Sequence, residues 1–153
     1  MFGIGPSSAM ADYFVTQLGR FGLDAASLTR TGLLFADDLQ KLRKGDLVVM
    51  LAYGRVYAEL AALLDKADRI GARKILLTDT LATLLRDRID LVLPVARGRI
   101  DMFSMHTATL GLIEALLVGI AVKRPRETIE GLKALNEARG KLVGKPMDLP
   151  ISR

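Results

Sequence analysis

Two short turns contain the residues whose types and spacing could bind a ligand. The first, Gly5-Pro6-Ser7-Ser8, brings small residues and two hydroxyl groups to the start of a predicted helix. The second, Tyr53-Gly54-Arg55, places a guanidinium group in a similar turn after a predicted strand. Free backbone N–H groups and the helix dipole favour an anion at such positions. In the alternative interpretation, Gly5 and Gly54 only permit tight turns and Ser7 only caps a helix.

The elements that position these turns are short apolar runs alternating with helical patterns, which is typical of a parallel sheet covered by helices. The carboxyl ends of parallel strands share one edge, and ligands bind there in open α/β sheets. The sequence therefore predicts a ligand site where the two turns converge at that edge. The predicted strands are 2–4, 23–28, 46–52, 74–78 and 91–95, and the predicted helices are 8–20, 33–42, 56–70, 81–88, 101–122 and 125–141.

The composition limits the chemistry that the chain can perform. It has 153 residues, about the size of one domain, and half of them are apolar. The absence of cysteine excludes a disulfide, a thiol nucleophile and a thiolate metal site, and a single histidine leaves no imidazole cluster for zinc. No signal-peptide pattern opens the chain. We therefore expect a cytoplasmic domain without a metal or a cofactor.

The chain is basic, with a formal net charge of +5, which raises the question of nucleic-acid binding. Residues 1–76 contain ten basic and eight acidic groups, and residues 77–153 contain twelve and nine, so the excess is spread evenly. The densest basic runs, Arg97–Arg99 and Lys123–Arg126, are short and lack interleaved aromatic residues. These features favour a solvated surface over a DNA-binding face.

The most apolar stretch of the chain is Met105–Val122, which raises the alternative of a membrane span. His106, Glu114 and two glycines, Gly111 and Gly119, interrupt it, and no aromatic anchors flank it. We favour a helix that is covered by the core on one side and by a second subunit on the other.

Four segments in order resemble the signatures of the sugar isomerase (SIS) domain. Gly3–Ala11 resembles its opening pattern, G-x-G-x-S-x-x-x-A, and Asp46–Glu59 occupies the place of the second signature. Thr78–Leu85, with Asp90 leading the final strand, is similar to the third. Phe103–Leu117 resembles the version found in RpiR-type bacterial transcriptional regulators. The resemblance covers nearly the whole chain.

The resemblance implies a three-layer α/β sandwich: a five-stranded parallel sheet in flavodoxin-like order with helices on both faces. It implies a phosphosugar-binding domain over residues 1–145, a C-terminal tail over 146–153 and a homodimer. Ser7 would be a ligand-contacting hydroxyl, and Thr83 stands where the family often has a serine. RpiR-type regulators also carry an N-terminal helix-turn-helix domain. We see none in this chain and expect contact with DNA only through such a domain.

The second signature departs from the family pattern, S-x-S-G-x-T-x-E. In Ala52–Glu59 only Glu59 is retained and the three small hydroxyl residues are gone. Losing three donors at about 1 kcal/mol each would weaken phosphate binding severely, although a charge-assisted contact from Arg55 would offset part of that loss. The sequence leaves three interpretations open: an anion held by Arg55 and turn amides, a different ligand packed against Tyr53 and Tyr57, or a solvated arginine beside tyrosines that only pack.

Catalysis is the other open question, since aldose–ketose isomerisation needs a base, commonly a carboxylate. His106 and Glu114 are eight residues apart on one predicted helix, about 12 Å along its axis, too far to serve adjacent sugar atoms. His106 is therefore interpreted as a hydrogen-bonded residue of that helix. Glu59 remains a candidate base, or else a partner of a helix dipole.

We expect the chain to bind a carbohydrate derivative, most plausibly a phosphosugar, as the ligand-sensing domain of a transcriptional regulator. The alternatives are a phosphosugar isomerase, with Glu59 and His106 as its catalytic residues, and a dimerisation module with a vestigial pocket. The predicted ligand contacts are Gly5, Ser7, Ser8, Tyr53, Gly54, Arg55, Tyr57 and Thr83.

Overall fold

The computed structural model describes residues 1–98, 103 and 105–147. Its sheet has four strands, β1 to β4 in chain order, and every neighbouring pair is parallel. The predicted parallel α/β architecture is confirmed. The strands are β1 (Phe2–Gly3), β2 (Leu47–Leu51), β3 (Arg73–Thr78) and β4 (Leu91–Pro94).

The predicted fifth strand over residues 23–28 is wrong, because only Leu28 of that segment forms a parallel bridge, with Phe2. The N–H of Leu28 donates to the carbonyl of Met1 at 2.8 Å, and the N–H of Gly3 donates back to Leu28 at 3.3 Å. The residues before Leu28 include no β-branched side chain, and β1 offers a partner of only two residues. Since Phe2 pairs with Met50 on its other side, Leu28 occupies the edge position that the flavodoxin-like order assigns to the second strand.

Six helices connect or follow the strands in the described part of the chain. The predicted helix over 33–42 is a 3-10 turn, Gly32–Leu34, followed by one short helix. The predicted start of the long apolar helix, at Asp101, lies outside the described residues. The helices are α1 (Ser7–Arg20), α2 (Phe35–Leu39), α3 (Ala58–Ile70), α4 (Ala82–Leu85), α5 (Thr107–Lys123) and α6 (Pro125–Val143).

Helices cover both faces of the sheet, as expected. Side chains alternate along β2, so that Val48 and Met50 belong to one apolar cluster and Val49 and Leu51 to the other. The first cluster buries side chains of the elements on one face: Phe35 of α2, Leu60, Leu63 and Leu64 of α3, and Leu85 of α4. The second buries those on the opposite face: Phe14 of α1, and Ile113 and Leu117 of α5.

The helix α5 is apolar around its whole circumference rather than on one face. Ile113 and Leu117 are buried against the sheet, whereas Leu110, Val118 and Val122 are exposed. None of the described helices combines the length and apolarity that crossing a membrane would require. The outward apolar side chains of α5 are therefore the largest feature of this helix that the core does not explain.

The first glycine of the opening motif allows α1 to pack tightly onto β1. A Cβ atom at Gly3 would lie 2.5 Å from the carbonyl oxygen of Ser7, far inside van der Waals contact. The second glycine, Gly5, has a φ angle of +58°, which glycine adopts at little cost. Together they direct the chain from the end of β1 straight into α1.

We predict that Gly3→Ala destabilises the domain by about 1–3 kcal/mol, because the new methyl group must displace backbone atoms of α1. The matched control is Gly19→Ala in the same helix, where a Cβ meets nothing within 4 Å. That change should stabilise the domain by about 0.5–1 kcal/mol through helix propensity. Urea unfolding followed by circular dichroism measures both. Equal effects of the two substitutions would contradict the steric explanation.

Candidate functional site

The turns that follow the four strands meet at one edge of the sheet, here called the carboxyl edge, because all four strands are parallel. Helices α1 and α5 also begin there and run side by side. Tyr13 of α1 contacts Glu114 of α5 through its hydroxyl group. These residues lie six and seven positions into their helices, about 9 and 10 Å along each axis. The amino termini of α1 and α5 therefore lie at nearly the same height.

The turn after β1 uses its own polar groups to form the start of α1. The N–H of Ser7 donates to Ile4 at 3.3 Å, and the N–H of Ser8 donates to Gly5 at 3.0 Å. The hydroxyl of Ser8 donates to the same Gly5 carbonyl at 2.8 Å. Ser7 is buried, and no side chain caps the helix, so the capping role considered for Ser7 is not seen. Two of the amides predicted to face an anion are thus already engaged.

The turn after β2 is occupied by a carboxylate of the protein. Gly54, with φ +72°, donates its N–H to Oδ1 of Asp79 at 3.2 Å, and Arg55 donates its N–H to the carbonyl of Tyr53 at 2.8 Å. The guanidinium of Arg55 lies 4.6 Å from the ring centroid of Tyr57, and both side chains are exposed. The amides predicted to bind an anion here are engaged, and Asp79 adds negative charge beside them.

Two other predicted residues lie on the α2–α4 side of the sheet. Oε1 of Glu59 accepts the N–H of Gly32 at 3.0 Å, and this hydrogen bond lowers the pKa of the carboxyl group. Glu59 thereby ties the turn before α2 to the start of α3. Thr83 is exposed in the short helix α4.

Tyr53 is the centre of a polar cluster on the other face, formed with Arg97, His106 and Thr109. Its ring is buried, and its hydroxyl lies 2.9 Å from Oγ1 of Thr109. The guanidinium carbon of Arg97 lies 4.5 Å from the ring centroid, and the His106 ring meets it edge-on at 5.7 Å. Nδ1 of His106 lies 3.4 Å from the Thr109 hydroxyl. This polar cluster joins the ends of β2 and β4 to the start of α5.

The polar cluster contains two buried nitrogen atoms, Nε of Arg97 and Nε2 of His106, that have no hydrogen-bond partner among the described residues. Burial and then the positive charge of Arg97 lower the pKa of His106. Burial raises the pKa of Tyr53, although the hydrogen bond with Thr109 partly offsets this. The imidazole is therefore held neutral near neutral pH, with one ring nitrogen free to meet a ligand.

Sequence reasoning found Tyr53 but not its partners. Arg97 stood out only as part of a short basic run, Arg97–Arg99, whose last residue lies outside the described part of the chain. His106 was expected to be hydrogen-bonded on its helix, and its contact with Thr109 agrees with that expectation. Both residues flank the long connection between β4 and α5. Its length gave no indication that its two ends would meet at Tyr53.

A cavity of about 530 Å³ lies at the opposite edge of the sheet, where the strands begin. Its walls include Met1, Leu47 and Val48, together with Phe14 and Leu18 of α1. None of the predicted contact residues lines it. The described cavity and the predicted site are therefore separate features.

Comparison with protein families supports the resemblance seen in the motifs. The family model for the SIS domain matches residues 1–119, which is more than half of the chain. A comparison with curated proteins gave no match.

Solved structures with the same fold include regulators and sugar-binding proteins. The sugar isomerase domain of an RpiR transcription factor from Sphaerobacter thermophilus is 25% identical, with a TM-score of 0.78, covering 89% of this chain and 76% of that one. The Escherichia coli CFT073 protein c3406, in complex with a phosphosugar, is 20% identical, with a TM-score of 0.67, covering 81% and 69%. The Vibrio vulnificus NanR protein complexed with ManNAc-6P is 18% identical, with a TM-score of 0.70, covering 92% and 54%. The last two similarities show a shared fold.

We predict that His106 titrates below the pKa of about 6.5 of an ordinary histidine, because burial and Arg97 both disfavour its charged form. Since the folded pKa is the lower one, the stability that neutral His106 contributes is full above about pH 6.5 and declines as the pH falls towards the folded value. The chain has one histidine, so its imidazole NMR signal reports this site alone. Arg97→Gln should raise the pKa of His106. A pKa above that of an ordinary histidine in the unsubstituted protein would contradict the structure.

Proposed function

The chain belongs to the SIS domain family, and from that premise we propose that it binds a phosphosugar at the carboxyl edge and serves as the ligand-sensing domain of a transcriptional regulator. The observation that carries the proposal is the polar cluster around Tyr53, where two buried nitrogens lack hydrogen-bond partners among the described residues. It lies between the end of β2 and the amino terminus of α5, where parallel α/β sheets bind their ligands.

The similar structures support this class of ligand and this role. One is the sugar isomerase domain of an RpiR transcription factor, and two are complexes with phosphosugars, one of them ManNAc-6P. We extend the ligand class, phosphorylated sugars, to this chain. Of the predicted contacts, Ser7 and Tyr53 lie on the α1–α5 side of the sheet, and Arg55, Tyr57 and Thr83 lie on the other side of the same edge. Gly5, Ser8 and Gly54 shape the turns between them.

The geometry favours sensing over isomerisation. A general base works best when its pKa lies near the operating pH. The hydrogen bond from Gly32 moves the pKa of Glu59 in the opposite direction and occupies one of its oxygens. Glu114 is likewise engaged, by the hydroxyl of Tyr13. These two carboxylates thus act as structural acceptors.

We further propose that the sensing domain works as a homodimer that uses the outer face of α5. Gly111, Ala115, Val118 and Val122 recur at spacings of four, three and four residues, which places them on one face of the helix. Val118 and Val122 are 61% and 71% exposed. An exposed apolar stripe with small residues allows a second helix to approach closely. Ligand binding at the start of the same helix would then shift the arrangement of the two subunits.

We predict that a phosphosugar raises the melting temperature of the domain, because a ligand that binds only the folded state stabilises it. A thermal-shift panel of pentose and hexose phosphates against the matching unphosphorylated sugars measures this. Asp79→Asn should tighten binding severalfold, because it removes a negative charge at the edge while its amide oxygen still accepts from Gly54. Asp87→Asn, on the 3-10 turn after α4, is the control and should have no effect. Equal stabilisation by unphosphorylated sugars, or equal responses of the two variants, would count against the proposal.

For the dimer, Val118→Asp should weaken self-association at least about tenfold, since two-fold symmetry buries the new carboxylate twice. Leu142→Asp is the control, because Leu142 is 87% exposed on α6, away from the proposed face. Sedimentation velocity over a concentration series measures both variants. A monomeric parent protein, or a loss of association only with Leu142→Asp, would refute this interface.

A further inference from the structure

We propose that Arg97 and His106 together bind the anionic group of the ligand, so that its negative charge is recognised by the polar cluster and not by the turn after β2. This inference rests on the proposed function and names the residues that confer its preference for an anion. The ligand chemistry is an oxyanion on a sugar, either a phosphate ester or a carboxylate.

The first argument is hydrogen-bond accounting. Nε of Arg97 and Nε2 of His106 are both buried, and no described residue accepts from or donates to either atom. Buried polar atoms in native proteins are nearly always paired, and an unpaired one is costly. Both atoms are able to donate to an oxyanion, the imidazole in the tautomer or charge state that carries a proton on Nε2. A bound oxyanion would supply the acceptors that both nitrogens lack.

The second argument is the arrangement of charge. Both side chains contact the Tyr53 ring, which places the guanidinium and the imidazole within about 10 Å of each other. Stacking on the ring leaves the edge of the guanidinium, with its N–H groups, free for a ligand. Among the described residues no carboxylate forms an ion pair with Arg97. The amino terminus of α5, directly after His106, adds the positive end of a helix dipole.

The third argument is that the competing position is already filled. The N–H groups of Gly54 and Arg55 are engaged, and the Asp79 carboxylate that accepts from Gly54 would repel a second anion. The guanidinium of Arg55 packs on the exposed ring of Tyr57, on the opposite side of the sheet edge. The polar cluster is thus the part of the edge where basic groups are buried without acidic partners among the described residues.

The direct test follows the single histidine of the unsubstituted protein by NMR during a titration with inorganic phosphate. Bound phosphate favours the protonated imidazole, so the pKa of His106 should rise, whereas chloride at the same ionic strength should leave it unchanged. The groups that face the imidazole in the described structure are the guanidinium of Arg97 and the hydroxyls of Tyr53 and Thr109, none of which is acidic at neutral pH. An unchanged His106 pKa at saturating phosphate overturns the inference.

The second test compares affinities for the phosphosugar that gives the largest thermal shift. Arg97→Gln should weaken binding at least about tenfold, as expected for the loss of one charge-assisted contact. Arg69→Gln, at the far end of α3, should leave the affinity unchanged. Arg55→Gln tests the competing position and should lose less than Arg97→Gln. If Arg55→Gln loses more, the inference is wrong while the proposed function stands.

Two further outcomes separate the inference from the function on which it rests. A sugar carboxylate such as glucuronate, measured beside glucose 6-phosphate, shows which oxyanion the polar cluster prefers; binding of either one that depends on Arg97 supports the inference. If no phosphosugar binds but inorganic phosphate raises the pKa of His106, the anion site is supported and the proposed ligand class is refuted. Should Arg97→Gln fail to fold, the histidine titration of the unsubstituted protein decides the question alone.

Discussion

The buried ring of Tyr53 is the contact on which the geometry of the carboxyl edge depends. The ring ends β2 inside the apolar layer between the sheet and α5, so its hydroxyl needs a partner there. Thr109, fully buried on α5, provides that partner and fixes the start of α5 against the end of β2. His106, three residues earlier on the same helix, is then carried to the edge of the ring. Arg97 covers the ring from the end of β4, so one aromatic side chain unites three elements.

This arrangement changes how the opening resemblance should be understood. The family pattern places small hydroxyl residues after the second signature strand, and this chain has Tyr53-Gly54-Arg55 there instead. The turn keeps its left-handed glycine and its backbone course, but its amides are satisfied internally, one of them by Asp79. The same substitution that removes the hydroxyl donors also supplies the aromatic ring on which Arg97 packs. Loss of donors in one turn and the gain of buried basic groups beside it are therefore two results of one change in sequence.

Much of the fold could be predicted from the sequence because its determinants are local. The continuous apolar run at 47–51 can only be a strand covered on both faces, and Gly71, with φ +67°, ends α3 as its position predicts. The segment 23–28 failed because a short apolar run does not reveal whether its neighbour is long enough to pair with it. The short helix α2 failed for a similar reason, since it depends on Asp38, whose carboxylate accepts from the backbone of Thr29 and Arg30. Neither pairing leaves a local pattern in the sequence.

The site was harder to predict because its contacts join distant parts of the chain. Glycines showed where the turns would lie, but Asp79 is 25 residues from the amide that it occupies, and Thr109 is 56 residues from Tyr53. A free turn and a filled one have the same local sequence, so Arg55 looked like the anion-binding residue when only its neighbours were considered. What separates Arg55 from Arg97 is solvation, because the first is exposed beside Tyr57 and the second is half-buried with an unpaired nitrogen. Since a desolvated charge interacts far more strongly with an anion than a hydrated one, burial rather than position in the motif decides which arginine can recognise a ligand.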